Sequence, residues 1–208
     1  MKKHLVLLLF PLLLSAITYR SEIVKQSWKF DSAEVLDLLD PVSGKWGINA
    51  PPKLNQSVLT QGVKYADFPK VLLKNHDFFD FDVVTKIYIS SENQDTQAGG
   101  LILRYRNLYS FYMLFLNAKE KRMTLTKASL GGMKVVKRVN HEFAPDRWYE
   151  LKANCYLDRV KAFVDGQLIL EAKDDTSTGG KIGLVTAGTS QVYFQDLNVS
   201  SEILQAAK

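Results

Sequence analysis

The 208-residue sequence predicts an all-β, antiparallel fold with a two-layer core, and three observations carry that prediction. Residues 147–200 hold five short segments with period-two alternation and no helical period. Asp165-Gly166 separates two of them; both central residues of a type I′ turn need positive φ, so Asp-Gly between apolar alternations marks a tight hairpin. Between Val71 and Tyr193 the pattern stays β throughout, with no internal repeat and no low-complexity segment.

The late strands are expected at 147–156, 159–164, 168–170, 181–185 and 192–199, the last two following Gly179-Gly180 and Gly188-Thr189-Ser190. Earlier, residues 28–31 read as a first strand and 32–39 as a short helical turn before Pro41. Brief strands at 46–48 and 58–61 flank the loop Asn49-Ala50-Pro51-Pro52. In the central strands alternation assigns faces. Phe81, Val83, Ile87 and Ile89 share one side, with Asp82, Lys86 and Tyr88 on the other. Leu101, Leu103 and Tyr105 oppose Ile102, Arg104 and Arg106, while Phe111, Met113 and Phe115 oppose Tyr112, Leu114 and Leu116. Both faces are partly apolar, as expected of a sheet that is covered on one side and lines a groove on the other.

The order of these pieces resembles a known family. A strand opening on Trp148, a strand ending in Val164-Asp165-Gly166, an Asp-rich turn, Gly179-Gly180-Lys181-Ile182-Gly183-Leu184 and a closing Tyr193-Phe194-Gln195-Asp196-Leu197-Asn198-Val199 resemble the C-terminal half of LamG-like, concanavalin A-like jelly-roll domains. Within that superfamily the chain is most similar to the bacterial 3-keto-disaccharide hydrolase, or family-16-like glycoside hydrolase, domains. Phe79-Asp80-Phe81-Asp82-Val83 and Ala98-Gly99-Gly100-Leu101 extend the likeness over 28–200. It implies a two-sheet jelly-roll sandwich with one sheet facing sugar. Such sandwiches host lectins, adhesion modules and hydrolases alike, so the resemblance speaks for fold more than for activity.

Arg104 and Tyr112 are the pair expected in the groove, with Trp46 as a loop partner. An aromatic ring stacks on the apolar face of a sugar, and a guanidinium donates as a fork to hydroxyls or a carboxylate. The competing reading puts Tyr112 in the core and pairs Arg104 with a carboxylate, because one sequence does not determine which parity faces inward.

Hydrolysis by paired carboxyls finds little support. The family 16 pattern Glu-x-Asp-x-x-Glu is approached only by Glu34-Val35-Leu36-Asp37-Leu38-Leu39-Asp40, where the first spacing is wrong. Asp80 and Asp82 have strand spacing but read as solvated carboxylates at a strand entry, and Glu150 with Lys152 as a surface charge pair. His76 and His141 lie far apart, with no nucleophile-elbow Ser or Cys. An enzyme of the resembled family would act on glycosides, including 3-keto-sugars, whose oxidised ring acidifies a neighbouring C–H and permits elimination. The leading expectation is recognition of a carbohydrate or glycoconjugate, with that enzyme and a protein-interaction module as alternatives. No cofactor is expected; Asp174-Asp175-Thr176-Ser177 offers oxygens to calcium, but as a plain polar turn, the preferred reading, it needs no metal.

Residues 1–21 read as an export signal: Lys2 and Lys3 precede thirteen mostly apolar residues at 5–17, shorter than the roughly 20 that span a bilayer. Pro11 further disfavours a span, and the alternative reading of these cues is an uncleaved membrane anchor. The expected domain then covers 22–201, with a frayed tail at 202–208, in a periplasmic or secreted protein. Removal of Lys2 and Lys3 lowers the net charge from +5 to +3, and loss of Arg20 lowers it to +2, which excludes a nucleic-acid-binding charge. Cys155 is the only cysteine, so no intramolecular disulfide forms, and its place in an alternating strand reads as a buried small hydrophobe.

Overall fold

Alternation of apolar and polar residues makes almost every element of the computed structural model, which describes residues 19–50, 58–61, 68–92, 96–174 and 177–206. The strands are β1 (Tyr19–Lys29), β2 (Leu39–Ser43), β3 (Trp46–Asn49), β4 (Val58–Gln61), β5 (Lys70–Leu73), β6 (Phe81–Ile89), β7 (Ala98–Asn107) and β8 (Ser110–Asn117). They continue as β9 (Arg122–Ser129), β10 (Gly132–Asn140), β11 (Trp148–Tyr156), β12 (Arg159–Val164), β13 (Gln167–Lys173), β14 (Lys181–Thr186), β15 (Val192–Phe194) and β16 (Asp196–Ala206). A 3-10 turn, Ala33–Leu38, stands where a short helical turn is expected. No helix among the described residues is long and apolar enough to cross a membrane.

Two antiparallel sheets form a jelly-roll sandwich. The seven-stranded sheet runs β10-β9-β8-β7-β14-β5-β2. The nine-stranded sheet runs β13-β12-β11-β6-β15-β4-β3, and β16 pairs with both β6 and β1. Asp165 and Gly166 adopt φ of 49° and 79°, the two positive values that the Asp-Gly hairpin requires. The stretch expected as one strand at 192–199 is two. It breaks at Gln195, whose N–H donates to the Lys86 carbonyl while its own carbonyl accepts from Phe30. In consequence β15 pairs with Ile87–Ile89 and β16 with Phe81–Val84, both on one side of β6.

The ends of the chain also depart from expectation. Instead of fraying from 202, β16 continues to Ala206, and its register with β1 runs from Lys29↔Asp196 to Tyr19↔Ala206. Paired backbone groups hold this ribbon together beyond Ser201↔Phe81, the last pairing with β6. The strand therefore begins within the segment expected to be a leader, whose residues 1–18 lie outside the described residues.

Between the sheets lies the core, including Phe81, Val83 and Ile87 from β6, Leu101 and Leu103 from β7, and Tyr112, Leu114 and Leu116 from β8. Burial of this layer supplies most of the driving force for folding. On the outer side of the seven-stranded sheet a second apolar layer, Ile102, Phe111, Met113 and Phe115 with Leu72 and Val185, is also buried. Phe68 packs on Phe115 at 5.4 Å between ring centroids, and the Lys70 ammonium stands 5.9 Å over Phe111. The outer side of this sheet, where an open groove is expected, is across β7 and β8 a layer of covered hydrocarbon, and the Tyr112 set expected there lies in the core.

Candidate functional site

Strict alternation fails at one residue of β7, and that failure decides where the expected contacts go. Tyr105 pairs with Lys181 and Ile102 with Gly183, so Leu103 and Arg104 together face the single residue Ile182. This is a β-bulge, and Arg104 occupies it with φ of 53°. Beyond the bulge the faces exchange. Arg104 turns inward beside Leu103, and Tyr105 turns outward to join the layer of Ile102 and Phe111.

Arg104 is therefore fully buried, at 0% exposure, and Tyr112 is buried at 1% in the inter-sheet core, so neither reaches a groove. The Arg104 Nη1 donates to the Ser177 carbonyl at 2.8 Å, while Nε and Nη2 have no partner among the described residues. Of the competing reading, Tyr112 in the core holds, while no carboxylate among the described residues pairs with Arg104. Tyr112 donates its hydroxyl to Asp174 at 2.7 Å, and Lys127 approaches the same carboxylate at 3.2 Å. Asp174 is thus engaged by a phenol and an ammonium. Asp175 lies outside the described residues, and no group of three or more potential metal ligands occurs among those described. Trp46 donates its indole N–H to the Ser43 carbonyl at 3.0 Å and packs against Phe194, facing the core from β3 instead of a loop.

The exchange of faces opens a cleft of about 370 Å³, lined by Asp77, Phe79, Tyr105, Arg106, Gly179, Gly180 and Lys181. Three elements build it: the β5–β6 connection, the end of β7 and the entry to β14. An isolated bridge joins them, with Phe78 donating to Gly180 at 3.0 Å and Gly180 returning the bond at 2.9 Å. Both glycines are required by close approach. A Cβ at Gly179 would lie 2.6 Å from the Phe79 ring, and one at Gly180, whose φ is +146°, would lie 2.6 Å from the Tyr105 carbonyl oxygen.

In this cleft Phe79 stands 63% exposed, an aromatic ring held against backbone and open to solvent. Arg106 donates Nε to the Gly179 carbonyl at 3.0 Å, which orients the terminal fork of its guanidinium. Lys181 lies 3.9 Å from Asp40. Burial, with the negative charge of Asp40 behind it, raises the Tyr105 hydroxyl above the ordinary tyrosine range, so it is a neutral donor at physiological pH. Sequence reasoning missed Phe79, Arg106 and Lys181. Gly179-Gly180 was the available signal, because paired glycines at a strand junction mark a place where something approaches the backbone closely.

The residues weighed for hydrolysis do not converge on Arg104. Asp80 accepts from the Leu157 N–H at 2.7 Å. Asp82 faces the outside of the nine-stranded sheet, paired with Lys152 at 2.7 Å and Asn154 at 2.6 Å. Glu150 is exposed. His76 stacks on Phe78, and His141 packs on Phe143 beyond the end of β10. Cys155 is fully buried, and burial pushes its thiol up to about 12, with Arg104 opposing that shift and Asp82 and Asp80 adding to it. A buried, protonated thiol is a packing group and not a nucleophile.

Known structures share this architecture. The fold matches the carbohydrate binding module CBM66 from Bacillus subtilis at a TM-score of 0.66, with 20% identity over 79% of this chain and 94% of that one. A protein of unknown function with a galectin-like fold, also from Bacillus subtilis, matches at 0.66, with 17% identity over 89% and 99% of the two chains. The Crh5 transglycosylase in complex with NAG matches at 0.60, with 11% identity over 85% and 84%. At these identities the likeness is one of fold. No curated protein matches the sequence. A sequence profile does: that of the 3-keto-alpha-glucoside-1,2-lyase-like domain covers residues 43–200, most of the sandwich and the whole cleft, and the chain belongs to that family.

Proposed function

We propose that the chain is an exported carbohydrate-binding module that takes a sugar in the cleft between Phe79 and Arg106. The supporting observation is the pairing of an exposed aromatic ring with a guanidinium oriented by the Gly179 carbonyl. The ring offers its face to sugar C–H groups, and the fork, the Lys181 ammonium and the Tyr105 hydroxyl offer donors to ring and hydroxyl oxygens. Asp77 supplies an acceptor at the rim. Arg104 and Tyr112 act from behind, holding Ser177 and Asp174 on the segment that leads into Gly179. The Lys2-Lys3 and apolar leader pattern supports export.

A second reading, favoured by the family match, is an enzyme acting on glycosides or 3-keto-glycosides. One experiment separates the two. The full chain is titrated calorimetrically with a panel of oligosaccharides and 3-keto-glycosides, and released sugar is followed in parallel. Binding without release is expected, and Phe79→Ala and Arg106→Ala are each expected to weaken it about tenfold, or about 1.4 kcal/mol. Release of sugar that Arg106→Ala abolishes would replace recognition with the enzyme. Binding that neither substitution changes would overturn the cleft as its site.

A further inference from the structure

Exposed apolar side chains gather at one end of the sandwich. Strand registers fix which connections share that end: Phe81 pairs with both Cys155 and Ser201, Phe78 with Gly180, Tyr105 with Lys181, and Phe111 with Ala128. The β5–β6, β7–β8, β9–β10 and β11–β12 connections all emerge there. They carry Phe79, Leu108, Tyr109, Leu130, Tyr156 and Leu157, and Leu130 is 87% exposed. Of the large hydrophobics exposed among the described residues, only Val135 and Leu168 lie away from this end. Turns at the opposite end are polar: Lys119-Glu120-Lys121 between β8 and β9, Asp165-Gly166 between β12 and β13, and Gly188-Thr189-Ser190 between β14 and β15.

A leucine at a solvated turn adds nothing to the core, and exposed apolar residues concentrated on one side of a domain mark a contact surface. We propose that this end docks on a lipid bilayer, with the turn side chains inserting among the acyl chains. Two observations select lipid over a folded protein. The apolar residues project from four separate turns and are interleaved with charged Asp158 and Arg159, an uneven surface that a fluid accommodates and a rigid partner must match pocket by pocket. The chain also enters the domain here. β1 starts at Tyr19 on the ribbon that extends past Phe81, so until the leader at 1–21 is removed its apolar run 5–17 holds this end of the domain toward the exporting membrane.

Chemistry at the turns suits a bilayer interface. Tyr109 and Tyr156 have apolar bodies and polar tips, which favour the headgroup level. Arg159 and Lys173, on the strands just behind, pair with Glu171 at 3.1 Å and Asp158 at 3.0 Å, and their long stems keep these charges at headgroup level while the hydrocarbon lies deeper. Docking of this kind does not depend on the carbohydrate reading. Phe79 belongs to both surfaces, however, so a docked domain holds its cleft at the headgroup layer; on the carbohydrate reading, the ligand within reach there is the sugar of a glycolipid.

The test uses the full chain with one new cysteine, Leu130→Cys or, at the opposite end, Lys119→Cys, labelled with an environment-sensitive dye. Cys155 is buried and does not compete for the label. Vesicles of phosphatidylethanolamine and phosphatidylglycerol, with bromines on the acyl chains, are expected to shift the emission at position 130 to the blue and quench it, and to leave position 119 unchanged. Adding Leu108→Ser and Leu157→Ser is expected to bring quenching at 130 down to the level at 119. Equal quenching at both positions, or none at 130 while the chain floats with vesicles, means that the leading run alone anchors the chain and overturns the proposal. A blue shift that grows with protein concentration in the absence of lipid assigns the surface to a second copy and overturns it as well. These vesicles carry no sugar, so the result stands whatever the calorimetry shows.

Discussion

The two ends of the sandwich differ in what their turns expose. At the polar end, side chains close the loops by bonding backbone and one another. Asp146 accepts from the Ser91 N–H and from the hydroxyls of Ser91 and Tyr88, and Tyr149 donates to the Ala144 carbonyl. Asp165 accepts from the Glu150 N–H and from Arg147. At the apolar end Asn107 and Asp80 likewise accept from the turn N–H groups of Tyr109 and Leu157, but backbone also approaches backbone directly at Gly180, a guanidinium is buried with a single hydrogen bond among the described residues, and the turns expose hydrocarbon. Local bonding suffices to hold a turn, as the polar end demonstrates. Apolar tips and close backbone contact at the other end therefore point to what that end meets.

The comparison is most directly broken at its glycines. Gly180→Ala forces a Cβ to within 2.6 Å of the Tyr105 carbonyl at a φ of +146° and is expected to cost roughly 3 kcal/mol in denaturant unfolding. Gly166→Ala, at a φ of +79° with nothing within 4 Å, carries only the backbone penalty, about 1 kcal/mol. Equal costs would mean that close approach is not what distinguishes the two ends.

Next in size are the carboxylates that anchor each end. Asp174→Ala removes the acceptor shared by buried Tyr112 and partly buried Lys127, and about 2 kcal/mol is expected to be lost. Asp165→Ala, whose Arg147 partner is half exposed, is expected to cost about 1 kcal/mol or less after solvent screening. Reversal of that order would place the stabilising network at the polar end. Arg104→Met should move stability the other way. A hydrophobe of similar length removes the desolvation penalty of a guanidinium that makes one hydrogen bond, so a gain of about 1 kcal/mol is expected in thermal unfolding. A loss of several would show that the buried charge is compensated.

The smallest effect at neutral pH concerns Cys155. Its folded thiol is raised from 9.0 to about 12, so the unfolded chain gives up the proton first. Stability from this group is complete below pH 9 and is lost as pH rises toward 12, because unfolding releases a proton in that window. Cys155→Ala is expected to reduce the slope of stability against pH above 9 and to leave it unchanged below. The phenols of Tyr105 and Tyr149, also raised chiefly by burial, contribute with the same sign at the two ends. An unchanged alkaline slope would mean that water reaches the thiol.

Much of the fold was legible in the chain because it is a local matter. Period-two alternation marks strands, Asp165-Gly166 needs two positive φ values that few other pairs tolerate, and the order of segments around Gly179-Gly180 identified the jelly roll before any pairing was known. Parity sorted the residues of β6 and β8 into two sets each, but it left open which set of β8 faces inward, and the structure turns Tyr112, Leu114 and Leu116 to the core. Tertiary structure decided the rest. One bulge at Arg104 exchanges the faces of β7, carrying the guanidinium into the core and Tyr105 and Arg106 into the cleft, and parity cannot anticipate a residue that breaks it. The break at Gln195 and the extension of β16 to Ala206 are likewise set by partners, Lys86 and Phe30 in one case and β1 in the other. Alternation is encoded residue by residue along the chain, whereas register, bulges and the gathering of apolar turns at one end depend on which strands pair, and pairing is settled only when distant segments meet.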